Sequence, residues 1–190
     1  MKHVLLLSIA LGCVACAAPS TQSQDAKIAE AQTPEPQSQD AQSMLDLPVP
    51  GLHAPKANLI TGGQPEADAW PVMAARGVTT VINLRPDAEL SGRDEAAEVA
   101  AAGMRYHQLP VDGAAGITMD NARTLQSLLQ NAEGPVLLHC ASGNRVGALM
   151  ALAAADAGAT TEQAIEQGQA AGLTSAETRV REVLGAPAQP

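Results

Sequence analysis

Leu137-Leu138-His139-Cys140-Ala141-Ser142-Gly143-Asn144-Arg145-Val146-Gly147 is the stretch on which the reading of this chain turns. Its first three residues end a short apolar run from Pro135, which predicts a buried strand. A tight loop follows, because Gly143 and Asn144 tolerate unusual backbone angles. Residues 146–156 are apolar nearly all round and predict a buried helix. Cys140 is thereby placed at a strand's carboxyl end, facing a helix amino terminus. Unpaired backbone N–H groups and a partial positive charge gather at such a point. They favour an anion in the loop, and they stabilise a thiolate. Arg145 closes the loop, and its guanidinium fork can hold two oxygens at once. Cys140 is therefore the candidate nucleophile. Ala141, Ser142, Gly143 and Asn144 are the candidate anion-binding residues, with Arg145 as the clamp. Two plainer readings exist. A lone Cys is commonly a small core residue, and an Arg at a helix start is commonly a surface charge. His-Cys and Gly together at a strand–loop–helix junction favour the anion loop.

Outward from this stretch, apolar runs alternate with helical patterns. Strands are expected at 58–61, 78–84, 104–109 and 135–139. Helices are expected at 65–76, with Pro65 in the first position, from Ser91 to 102, at 119–131, 146–156, 161–171 and 175–184. Ser91 with Asp94, Thr160 with Gln163, and Thr174 with Glu177 look like helix starts. Ala122, Leu125, Leu128 and Leu129 give the helix at 119–131 one apolar face. The alternation implies an α/β fold with a mainly parallel central sheet flanked by helices. Ligands in such folds bind at the carboxyl ends of strands.

The ends of the chain differ from this middle. Residues 1–17 have a basic start, a short apolar run and Ala15-Cys16-Ala17, and are expected to be an export signal. Cys13 and Cys16 also fit a lipoprotein signal imperfectly, so the expected product is periplasmic, either soluble or held by a lipid anchor. Residues 18–50 are rich in Gln, Ser, Pro and Ala and read as a flexible tether without structure. Residues 51–190 form the expected domain, in which Cys140 is the only thiol.

Composition excludes some functions. The formal net charge is −9, and residues 51–190 carry 15 acidic against 9 basic side chains. DNA would be repelled overall. With no Phe, one Trp and one Tyr, there is little to stack on bases, so no nucleic-acid partner is expected. The histidines at 3, 53, 107 and 139 lack ligand spacing, and neither metal nor other cofactor is expected. His139 is expected to orient the loop by a hydrogen bond, and His107 to face solvent. The sequence does not reveal the oligomeric state.

The loop, together with Gly62-Gly63-Gln64-Pro65, Val81-Ile82-Asn83-Leu84-Arg85, Glu89, Asp94-Glu95 and Ala170-Ala171-Gly172-Leu173, resembles the protein tyrosine and dual-specificity phosphatases. The bacterial phosphatase-like domain family called beta-lactamase-hydrolase-like is the nearest branch, over about residues 57–184. The resemblance implies a cysteine phosphatase fold, attack by Cys140 on a phosphoester, a cysteinyl-phosphate intermediate and a phosphorylated substrate. Phosphatases of this class place one residue more between Cys and Arg. Four intervene here, Ala141 to Asn144, a spacing found in rhodanese sulfurtransferases. Val146 also stands where phosphatases often have a hydroxyl. Sulfur transfer through a Cys140 persulfide, or an idle anion-binding module, are the alternatives. A phosphatase needs a general acid. Asp112, after the strand at 104–109 and beside Gly113, is the candidate. Asp120 is its rival, although it fits better as a first-turn charge on the helix dipole. Arg85 either lines the site or makes a structural ion pair.

Overall fold

The computed structural model describes residues 46–185. The expected export signal, the lipoprotein-like Cys13 and Cys16 and most of the expected tether lie outside the described residues. The packed region begins upstream of the boundary expected at residue 51. Leu47 and Val49 are buried in the core against Ile60 and Trp70.

Five strands form one sheet. They are β1 (His53–Lys56), β2 (Leu59–Gly62), β3 (Thr80–Asn83), β4 (Arg105–Gln108) and β5 (Val136–His139), in the order β1-β2-β5-β3-β4. The pair β1–β2 is antiparallel and the other pairings are parallel. The central strand β5 pairs Leu137 with Ile60 on one side and Val81 on the other. Side chains alternate across a sheet. Ile60, Val81 and Leu137 accordingly enter one core, and Leu59, Ile82, Val136 and Leu138 the other.

The helices are α1 (Ala69–Ala75), α2 (Glu95–Ala101), α3 (Met119–Asn131), α4 (Asn144–Asp156), α5 (Thr161–Ala170) and α6 (Glu177–Val183). Trp70 and Met73 of α1 and Val99 of α2 fill the first core. Residues of α3 to α6 fill the second, so helices cover both faces as the sequence implied. Helix α3 has the expected bounds, and α5 has the reciprocal cap between Thr160 and Gln163.

Besides α4, which is taken up with the site, three starts differ from expectation. Helix α1 begins at Ala69 rather than at Pro65. Pro71 lacks an N–H and is tolerated only in a first turn, so a helix from 65 would place it too deep. Asp94, not Ser91, caps α2, accepting from the Ala97 N–H at 3.0 Å. Ala176, not Thr174, precedes α6, because Thr174 bonds Asn144 instead. Strand β1 was not expected at all. Among the described residues no helix is long and apolar enough to cross a membrane.

Helix α4 packs closely through Gly147. A Cβ built there would lie 2.0 Å from the Leu173 nitrogen and 2.6 Å from the Gly168 carbonyl oxygen. Both are backbone atoms that cannot swing away. Gly147→Ala should therefore destabilise the domain by about 3 kcal/mol or more, at the upper end of overpacking costs. The check is the midpoint of urea unfolding, and an unchanged midpoint would refute this packing.

Candidate active site

The parallel strands deliver their carboxyl ends to one edge, and the site is built there. Strand β5 ends at His139, and Cys140 follows in the loop. The Cys140 N–H donates to the Gly62 carbonyl at 3.3 Å, and the Gln64 N–H donates to the Ala141 carbonyl at 3.2 Å. The loop is thus clamped to the end of β2. Glycine is required at 63, since a Cβ there would lie 2.9 Å from the Ala141 carbonyl oxygen. Gly143 adopts φ 88°, the left-handed region that favours glycine. That turn aims its N–H at the Cys140 sulfur, 3.2 Å away. Helix α4 starts at Asn144, two residues earlier than expected, which puts Arg145 in its first turn. The N–H groups of that turn have no acceptor inside the helix. Cys140 is buried, while Ala141 and Ser142 are exposed at the loop's rim.

Arg145 is held firmly. Its Nη1 donates to Glu89 Oε1 and to the Val111 carbonyl, each at 2.7 Å, and Nη2 donates to Glu89 Oε2 at 2.6 Å. A guanidinium has five N–H donors. Glu89 and Val111 take three, and the two others, Nε–H and the second on Nη2, share the edge through which Arg145 also hydrogen-bonds the Cys140 side chain. That edge is the bidentate arrangement that fits two oxygens of an oxyanion. The Glu89 hydrogen bond raises the Arg145 pKa, and the adjacent Cys140 sulfur raises it further, against burial. Glu89 in turn lies below the usual carboxylate range, through the Arg145 hydrogen bond first and Arg85 after it. Arg85 makes the structural ion pair, with Glu89 at 3.3 Å, and also donates to Gln64.

Behind the loop lies a buried polar network. His139 Nε2 meets Glu95 Oε1 at 2.9 Å, and its Nδ1 lies 3.4 Å from the Cys140 carbonyl. Glu95 also accepts from Asn83 at 3.0 Å and from Gln64 at 2.6 Å. Burial pushes Glu95 up, but the hydrogen bonds and charges around it outweigh that, and its pKa is lowered. His139 therefore orients the loop, as expected, and His107 is exposed.

The remaining candidates are placed as follows. Asp112 is exposed at the head of the loop after β4, one residue beyond the Val111 carbonyl that binds Arg145. Asp120 is exposed in the first turn of α3, 3.6 Å from Arg123 and away from the loop's bonds. The side chain of Asn144 turns from the loop. Its Oδ1 accepts from the Thr174 N–H at 2.8 Å and the Ala176 N–H at 3.2 Å. A groove of about 480 Å³ borders Ser142 and Arg145, walled by Gly113, Ala114 and Ile117 and by Arg179. Sequence reasoning missed two contributions. Glu89 as partner of Arg145 and Glu95 as anchor of His139 were seen only as points of resemblance. Their partners lie 56 and 44 residues away.

The Arg145–Glu89 pair predicts a pH dependence. Because Glu89 is depressed below 4.5 in the folded state, its stabilisation is present above that value and is lost as pH falls through the depressed one. Glu89→Gln should cost about 1 kcal/mol near neutral pH, given the partial exposure of the pair. The difference from wild type in urea midpoint should close in acid. A difference that persists unchanged in acid would mean that charge is not involved.

The family model described as "Beta-lactamase hydrolase-like protein, phosphatase-like domain" matches residues 57–159. The Beta-lactamase hydrolase-like protein of Agrobacterium fabrum is 39% identical over 98 residues, which are 50% of this chain and 22% of that protein. The chain thus spans about a fifth of that curated relative. A solved putative phosphatase from Neisseria meningitidis is 28% identical, with a TM-score of 0.60 over 69% of this chain and 95% of its own. TpbA of P. aeruginosa, solved as a Cys-to-Ser variant in complex with pTyr, is 25% identical, with a TM-score of 0.50 over 72% of this chain and 84% of its own. With a match to more than half of its length, a phosphatase-like α/β fold and a buried cysteine at the head of the anion loop, the chain belongs to the beta-lactamase hydrolase-like phosphatase domain family.

Proposed function

We propose that the protein is a cysteine-dependent phosphomonoester hydrolase. One observation carries this reading most directly. The Cys140 sulfur accepts the Gly143 N–H beneath the first turn of α4, next to an Arg145 whose Nε–Nη2 edge is taken by neither Glu89 nor Val111. The thiolate of Cys140 attacks phosphorus, and the bond to the ester oxygen breaks. Backbone N–H groups from Ala141 to Asn144 and the Nε–Nη2 edge of Arg145 hold the phosphoryl oxygens. Asp112, entering protonated, gives its proton to the departing alcohol. Water then attacks the cysteinyl phosphate and passes a proton to Asp112. The sulfur–phosphorus bond breaks, releasing phosphate and restoring the thiolate. Asp112 suits this role because its loop begins at Val111, whose carbonyl binds Arg145. The pTyr bound to TpbA supports an aryl phosphate as one acceptable substrate. Periplasmic export remains part of this proposal and rests on residues 1–17.

Sulfur transfer is the second reading, favoured by the four residues between Cys140 and Arg145. The two readings separate on Asp112. Under the phosphatase reading, Asp112→Asn should lower turnover of an alkyl phosphate by about 10²–10⁴. Nitrophenyl phosphate has a good leaving group and should lose far less. Cys140→Ser should abolish both activities yet still bind inorganic phosphate, since the backbone donors remain. An equal loss on both esters would remove Asp112 as the acid. Thiosulfate-dependent sulfur transfer without phosphate release would remove the hydrolase.

A further inference from the structure

We infer that Arg179 is a positioning residue for Asp112, and that residues 174–182 form a strut setting the acid relative to the nucleophile. The inference rests on the hydrolase reading above. One end of the strut grips the anion loop. Asn144 Oδ1 accepts from the Thr174 N–H, the Thr174 hydroxyl and the Ala176 N–H at 2.8, 3.1 and 3.2 Å, and Asn144 Nδ2 donates to the Ser175 hydroxyl at 3.0 Å. The other end grips the Asp112 loop. Arg179 Nε reaches across the groove and donates to the Ala114 carbonyl at 3.1 Å, while its Nη1 meets Glu182 at 3.2 Å. Between these ties, Val180 is fully buried, and Arg181 is buried with bonds to Glu162 and Glu177. The strut is therefore anchored in the second core and not merely laid on the surface.

The Asp112 side chain is exposed, and no hydrogen bond or ion pair of it is found among the described residues. Its place is thus governed by its own backbone. Within the segment the Asp112 carbonyl accepts from the Gly116 N–H at 2.8 Å, and the Val111 N–H donates to Leu84 at 2.9 Å; side chains tie it by Val111 to Arg145, by Gly116 to Asn121 at 2.7 Å and by Ala114 to Arg179. Only the last tie leads to the strut that also holds Asn144. Residues 174–182 lie beyond the 57–159 that match the family model, so the family match does not account for this tie.

Arg179→Met keeps the apolar stem and removes the donor. Misplacing a catalytic group by about 1 Å can cost up to about 10²-fold, so kcat on an alkyl phosphate should fall by roughly 10- to 100-fold. Turnover of nitrophenyl phosphate should change by less than about threefold, because that ester needs little from Asp112. Inhibition by inorganic phosphate should not change, because Cys140 to Arg145 are untouched. In an Asp112→Asn background, Arg179→Met should add no further loss. Arg179→Lys, which keeps a donor, should recover part of the alkyl phosphate activity, and it carries the same comparison if the Met variant does not fold. Equal losses on both esters, or a full additional loss in the Asp112→Asn background, would overturn the role of Arg179. A wild-type protein without Cys140-dependent turnover would instead remove the hydrolase reading, and the role of Arg179 with it.

Discussion

The left-handed turn at Gly143 is the constraint on which the site depends. At φ 88° Gly143 ends the loop of residues 140–143 that follows β5 and turns the chain into the start of α4. The turn points the Gly143 N–H at the Cys140 sulfur, and the Gly143 carbonyl accepts the first helical bond, from Gly147 at 2.9 Å. A side chain at 143 would have room beside Gly62, so it is the left-handed backbone that calls for glycine there. Gly147 then lets α4 lie against Leu173, which leads the chain to Thr174 and its bonds with Asn144. Backbone conformation, close packing and the orientation of the cysteine are thus one problem with one solution.

Charge is arranged around this turn with little surplus. The chain is acidic overall, yet the cations near the loop are each matched to a carboxylate. Arg145 and Arg85 share Glu89, and Arg179 meets Glu182. Pairing holds the guanidinium groups still, so donors are aimed before a ligand arrives. The same pairing leaves no broad positive field around the loop, only the Nε–Nη2 edge of Arg145 beside the Cys140 sulfur.

Much of this was legible in the sequence. The strand–loop–helix around Cys140 follows from an apolar run, a Gly-Asn turn and an apolar helix, and the structure has that order. Helix α3 was bounded correctly from its apolar face, and the structure adds Thr118 as its cap. What was illegible has physical causes. Strand β1 is half-exposed at a sheet edge and contains Pro55, so it has neither alternation nor β-branched residues to announce it. The start of α1 was readable after all, from Pro71, which cannot sit in a helix interior. The partnership of Glu89 with Arg145 joins the 3-10 turn after β3 to the first turn of α4, and no local period encodes such a contact. Asn144 was read as a ligand-facing loop residue, whereas its side chain ties the loop to a segment 30 residues later.

The central claim is that Cys140 carries the phosphoryl group between ester and water. Its most direct test is the intact mass of the protein, quenched in denaturant during turnover of nitrophenyl phosphate. The account predicts a population heavier by one phosphoryl group, located on Cys140 and missing from Cys140→Ser. Phosphate release by the wild-type protein with no phosphoryl group on Cys140 would contradict it.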